Sequence, residues 1–369
     1  MSATVKARGR LEYRGSIMAR LGRMWRGLPR FGRDERGGVA VWFGVSVVAL
    51  LFFAGSGLDL ARSINQQAEM QGAVDAAALA GAGAYTSAAT LATATAAATN
   101  YMTQFKTTSG LSALTFTVTP GTATSGTSVT SYGMTVAASA SISNTLMAMA
   151  KSSNTVAVTA TARNPVYNIT ISMSGFSSSA VDTGTISYYT VPADGSTPTA
   201  TTLLYSNAAN ATSSGTTTVQ LTASQKLGFM LTNTTDGNAA TTCTTVLLIL
   251  KKCSSNNYGS NAYGGASGSV HYFYSHMSPP SQIAYPSVTQ NCSLQVLTSS
   301  TASPTSGSCL SALPTYATVN CVQASGMTLR YYWNDMGGST DDKDYNDAVY
   351  TVTCSQIDST VVKGLVLTN

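Results

Sequence analysis

The sequence predicts a membrane-anchored α+β protein. One N-terminal transmembrane helix continues into a helical stalk, a small α+β unit follows, and the rest is a mostly β domain of sandwich or jelly-roll type. Three observations carry this prediction. Gly37–Leu58 (GGVAVWFGVSVVALLFFAGSGL) is a run of 22 residues without a charge, and nothing else in the chain approaches it. The period of apolar residues changes from helical to alternating near residue 114. All six cysteines lie beyond residue 240.

The anchor follows from length. At about 1.5 Å per residue such a run spans roughly 30 Å as a helix, the thickness of a bilayer hydrocarbon core. Residues 1–36 form a basic tail with ten Lys/Arg against three Asp/Glu, a net of +7, whereas residues 37–369 sum to −2. The formal charge of +5 therefore belongs to the tail and not to a folded basic face, which argues against a nucleic-acid partner. Positive charge flanking a span stays cytoplasmic, so the C-terminal bulk is expected on the other side. Within the tail, Met18, Leu21, Met24, Trp25 and Leu28 lie among arginines at near-helical spacing. That pattern suits a surface-lying amphipathic helix or a disordered tail equally well.

Two rival readings of the N-terminus fit less well. A secretory signal has a shorter apolar region, although Phe53–Ser56 (FAGS) imitates a cleavage site. A type IV prepilin normally carries a Glu five residues after its cut, and here Trp42 or Phe43 occupies that position.

Residues 59–163 are read as the stalk and the small α+β unit. Leu60, Ile64, Ala68, Val74, Ala78 and Leu79 form an apolar stripe at helical spacing, and Ala76–Ala84 is nearly all small. Thr86–Asn100, rich in Ala and Thr, is a weak helix or a linker. Residues 114–120, 131–142 and 154–164 alternate as strands, and 143–151 (SNTLMAMAK) is read as a short helix.

Residues 164–369 are read as a disulfide-bonded β-sandwich. About ten short strand-like segments are separated by Asn, Gly, Ser and Pro, with no fixed repeat. Cys243, Cys253, Cys292, Cys309, Cys321 and Cys354 are even in number and show no C-x-x-C spacing, which favours disulfides over zinc. Sequence alone does not choose their pairing.

Candidate chemistry concentrates at Trp333–Tyr350 (WNDMGGSTDDKDYNDAVY). Asp335, Asp341, Asp342, Asp344, Asn346 and Asp347 crowd oxygen ligands into one loop, and alternate acids in a turn can converge on a hard cation. Asp347 stands where an EF-hand has its Gly and no Glu follows at the twelfth position, so the segment is not an EF-hand. A calcium loop and a solvated acidic turn are both consistent with these residues. His271 and His276 are offset by five and point to opposite faces of a strand, so they do not share a metal. Tyr188–Tyr189, Tyr272–Tyr274 and Tyr331–Trp333 offer either a glycan-binding face or ordinary half-buried strand faces. No G-x-S-x-G, H-E-x-x-H, P-loop or dinucleotide motif is found, and an enzyme is not expected.

One block carries a family resemblance. Arg36–Gly83 has an Arg-Gly-Gly entry, one apolar helix, Gly57 and Asp59 leading to Arg62, then Gln71, Asp75 and AALAG at 77–81. It resembles the N-terminal region of the Tad (Flp pilus-assembly) TadE/TadG-like family, and the resemblance extends over about residues 31–163. It implies a single-pass protein of the bacterial inner membrane facing the periplasm. Its partners would be other pilus-assembly or secretion proteins, reached through the stalk helix. Many TadG-like members also carry a von Willebrand A-type domain with an Asp-x-Ser-x-Ser metal site. Here Ser172-Met-Ser-Gly and Asp182-Thr-Gly-Thr depart from that pattern. The acidic segment resembles the Asp-Tyr-Asn-Asp stretch near the end of a bacterial surface β-domain, a likeness that implies calcium. The expectation is therefore a non-enzymatic component of a Tad-type apparatus. The alternative is a calcium-dependent adhesin or glycan-binding protein with a surface ligand.

Overall fold

The computed structural model describes residues 35–111, 113–148, 150–177, 182–234, 241–247, 250–255, 270–278, 291–335 and 343–368, with backbone alone for 35–37 and 241–255. The basic tail through residue 34 lies outside the described residues. The chain divides into two units, the first holding residues up to Glu69 with Ala140–Val156, the second Met70–Ser139 with Ala157 onward.

The first unit is built on helix α1, Glu35–Ala84, whose first part belongs here. It is the one helix among the described residues long and apolar enough to cross a membrane, and only 6% of its most apolar window is buried in the protein. A core helix would be covered. Val39, Trp42, Phe43, Val48 and Phe53 are instead largely exposed. Where the apolar run ends, the buried positions are Gly55, Asp59 and Ser63, spaced by one helical turn. The expected stripe therefore holds only in its second half: Leu60 and Ile64 are 59% and 56% exposed, whereas Val74 and Ala78 are fully buried. Polar residues took the inner face because the chain packed against them is a turn with backbone donors to satisfy. That turn, described at 144–148 and 150–151, stands where the short helix is expected.

In the second unit α1 ends on small residues. Ala73, Ala77, Ala78 and Ala82 are buried, and a Cβ on Gly81 would come within 2.8 Å of Met134 and 3.0 Å of Ala98. Only a residue without a side chain allows that approach. Helix α2, Leu91–Thr108, buries Ala94, Ala98 and Met102 along one face.

Strands β1 (Thr115–Ser125), β2 (Ser128–Ser143) and β3 (Ser153–Phe176) lie side by side. The segments read as separate strands before and after Pro165 are one 24-residue strand. Its buried face changes parity along the way: Val156, Val158, Ala160 and Ala162, then Tyr167, Ile169, Ile171 and Met173. Asn164 and Val166 share the change-over and are buried too. Here β3 also exchanges partners, from β2 and β14 (Val366–Leu367) to β6 (Gly215–Thr222) and β13 (Ala348–Gln356). Pro165 sits at the exchange, where a missing N–H costs the ladder least.

The far half of β3 belongs to a sandwich. One sheet runs β6–β3–β13–β12–β11, with β12 at Thr328–Trp333 and β11 at Leu294–Leu297. The other runs β10–β7–β4–β5, formed by Val270–Tyr274, Leu227–Thr234, Thr183–Thr190 and Thr202–Ser206. Alternate residues of both sheets enter one core, with Leu329, Tyr331 and Trp333 on β12, Tyr350 and Val352 on β13, and Phe229 and Leu231 on β7. Strand β8 (Thr241–Leu247) pairs antiparallel with β9 (Leu250–Ser255). A short helix α3, Cys321–Ala324, is capped by Asn320.

Candidate functional site

Asp59 is the first residue after the uncharged run, and it is only 5% exposed. Its Oδ1 accepts the Thr145 N–H at 3.1 Å, and its Oδ2 accepts those of Leu146 and Met147 at 2.8 and 2.7 Å. Three consecutive amides converging on one carboxylate reproduce the anion site of a helix N-terminus. Withdrawing a carboxylate from water is costly unless such donors replace it. Arg62 Nη1 donates to Thr145 Oγ1 at 3.4 Å, and Ser63 Oγ donates to the Asp59 carbonyl at 3.0 Å. Two asparagines close the turn from behind. Asn144 Nδ2 donates to the Lys151 carbonyl at 2.8 Å, and Asn154 Nδ2 donates to Asn144 Oδ1 at 2.9 Å. Gly55 completes the seat, since a Cβ there would lie 2.7 Å from Leu146 Cβ. Gly57 is exposed and faces open space, so nothing in its packing requires a glycine.

In the second unit Gln71 Nε2 donates to Asp75 Oδ1 at 2.6 Å and reaches the Thr159 carbonyl at 3.4 Å. Asp75 is thus engaged by an amide one turn away. Beside this pair an open groove of about 510 Å³ is lined by Thr159, Thr161 and Thr368. The end of α1 is held by a residue that sequence reasoning passed over. Asn164, fully buried, donates through Nδ2 to the carbonyls of Ala82 and Tyr85 at 3.1 and 3.3 Å. Its Oδ1 accepts the Ser224 N–H at 3.1 Å, and Ser224 Oγ donates to the Gly83 carbonyl at 2.9 Å. The last carbonyls of a helix have no partner within it, so these side chains cap α1 from the sheet. The one signal for Asn164 in the sequence is an Asn-Pro step between two alternating segments.

The acidic segment is described in part. Asp341 and Asp342 lie outside the described residues. Asp347 Oδ2 accepts the Asp335 N–H at 2.8 Å, and Asn346 hydrogen bonds to both oxygens of Asp344. Tyr345, buried at φ 58°, donates its hydroxyl to the Ser308 carbonyl at 2.9 Å. Among the described residues no group of three or more His, Cys, Asp or Glu is placed to hold a metal.

Four cysteines form two disulfides, Cys292–Cys309 and Cys321–Cys354. Cys243 and Cys253 are directly opposed in the β8–β9 register, while their side chains lie outside the described residues. The tyrosine clusters face inward for the most part. Tyr331 and Trp333 are fully buried, and Trp333 Nε1 donates to the Tyr350 hydroxyl at 3.0 Å. Tyr189 is hydrogen-bonded to His276 Nδ1 at 2.6 Å, and burial pushes its phenol up to about 12. His271 lies on β10 and is lowered by burial, partly offset by the charge of Asp182.

In the first unit Asp59 and Arg62 thus hydrogen bond to the turn after β2, and in the second Gln71 hydrogen bonds to Asp75 and the Thr159 carbonyl. Residues 37–84 match the Tad family model, described as "Putative Flp pilus-assembly TadE/G-like". The match covers the apolar run and every motif residue from Gly57 to Asp75, and it supports a pilus-related accessory role. No curated protein and no solved structure matched the chain. The Tad segment thus coincides with α1 from two residues after its start to its last residue.

Proposed function

We propose that this chain is a non-enzymatic structural component of a Tad-type (Flp) pilus-assembly or secretion apparatus. It is held in the inner membrane by the Tad segment and presents its β-sandwich to the periplasm. The observation that carries this reading is the use of Asp59. The acid at the edge of the span is spent on three backbone amides of the hairpin, so it builds a rigid mount. An oriented anchor is supported by the net charge of +7 before the span. Two disulfides in the sandwich fit an oxidising compartment. Pilus partners are reached through the exposed face of α1, on which Leu60 and Ile64 stand.

The test combines topology with phenotype. Reporter fusions after Thr190 and after Asn369 should be active only as periplasmic enzymes, and deletion of the gene should abolish surface pili. Cytoplasmic activity of either fusion would overturn the orientation. Normal piliation in the deletion strain would overturn the role.

A calcium-dependent adhesin is the second reading. Tyr345 favours it, since this buried side chain fixes the turn from which Asp344 and Asp347 extend. Its test is independent: calcium should raise the melting temperature of the whole protein and chelation should lower it, and an unchanged temperature removes it.

A further inference from the structure

We propose that the turn Thr145–Met147 is a second membrane contact: it rests in the headgroup–acyl boundary of the bilayer that α1 crosses, with Leu146 as its apolar foot. The proposal rests on the anchor reading of α1. Depth is the first argument. Leu146 is seated on Gly55, three residues inside the uncharged run, which is about 4.5 Å along a helix axis. A bilayer that covers the run through Leu58 therefore reaches the level of Leu146.

Exposure is the second argument. Leu146 is 53% exposed although its backbone is fixed, and the helix beside it exposes Phe52, Phe53 and Leu58 at 43%, 72% and 65%. A lone exposed leucine means little, but this one continues the surface of a span.

Backbone chemistry is the third argument. An irregular turn cannot dip toward the hydrocarbon side of that boundary while its amides lack partners, because water thins out there and cannot replace them. The amides of Thr145, Leu146 and Met147 all end on the Asp59 carboxylate. This gives a physical reason for a buried acid at the end of a span. It neutralises the polarity of a turn that enters lipid, and its own charge is met by those three dipoles. The flanks suit the same depth. Arg62, which also reaches Thr145 Oγ1, and Lys151 are both exposed, and both side chains are long enough to carry their charge to lipid phosphates.

Site-directed spin labelling of the full chain, reconstituted in phosphatidylethanolamine–phosphatidylglycerol vesicles, tests this. Leu146→Cys carries the label, with Val48→Cys and Leu203→Cys as references for the span and for the sandwich surface. The collision rates measured are those with oxygen, which partitions into lipid, and with a water-soluble nickel chelate. The label at 146 should show an oxygen-to-nickel ratio severalfold above that at 203 and below that at 48. Lys151→Cys, which leaves the Gly55 contact intact, should report headgroup depth. A ratio at 146 equal to that at 203, with 48 in lipid, overturns the proposal and leaves the anchor standing. Aqueous values at 48 and 146 together overturn the anchor reading and the proposal with it.

Discussion

Asp59 and Asn164 solve the same problem at two points of one helix. Each supplies side-chain partners to backbone groups that lie outside a regular ladder. Asp59→Asn keeps the size but removes the charge and one acceptor oxygen. It should speed hydrogen exchange at the amides of Leu146 and Met147, read by mass spectrometry, while leaving exchange in β12 and β13 unchanged. Asn164→Ala removes the donor from the Tyr85 carbonyl, while the Ala82 carbonyl keeps the Tyr85 N–H at 3.2 Å. Leaving that buried carbonyl unpaired should cost about 1–3 kcal/mol, seen as a lower denaturation midpoint. His271 gives the pH dependence its sign. Its folded value lies below the unfolded one, so the neutral form is favoured by folding. The stability it contributes is complete above about 6.5 and is lost as pH falls below that value. The melting temperature should therefore decline on acidification from pH 7, and less steeply in His271→Phe. Of these residues only Asp59 was legible beforehand, as a motif acid. Its partners lie 86 to 88 positions away, and no local pattern encodes that separation. Asn164 looked like a strand terminus because its role exists only where helix, strand and turn meet.

The helix shows how period and register part company. The 22-residue run and the helical spacing beyond it predict α1 well, and Val74 and Ala78 of the expected stripe are buried, yet its first members, Leu60 and Ile64, face outward. Hydrophobicity selected one face, and the need to satisfy the 144–151 turn selected another. Close approach at Gly81 is the checkable consequence. Gly81→Val forces a branched side chain into Met134 and Ala98, and such overpacking should cost about 1–3 kcal/mol in thermal or denaturant unfolding. Strand β3 was legible in pieces. Both of its alternating halves were visible, but their fusion was hidden by the parity change at Asn164–Val166, which sequence reading takes for a break. The helix expected at 143–151 fails for a related reason. Its Ser/Asn start mimics a cap, whereas the cap is supplied by Asp59 on another element.

At the scale of the molecule the covalent frame is testable without a partner. Non-reducing peptide mapping should return Cys292–Cys309 and Cys321–Cys354, leaving Cys243 and Cys253 as the third pair across their hairpin. Replacing Cys321 and Cys354 with serine opens a loop of 33 residues and should cost roughly 2–5 kcal/mol. The sequence by itself determined that an apolar helix of membrane length precedes a disulfide-bonded, mostly β body, because length, charge and period are written residue by residue. It also marked the Tad segment, because that motif is contiguous. Tertiary structure decided which helix face is inner, which cysteines pair and where β3 changes sheets. Those depend on backbone groups finding partners far along the chain. It also changed the meaning of Asp59, from one residue of a contiguous motif to the carboxylate on which a distant hairpin is hung.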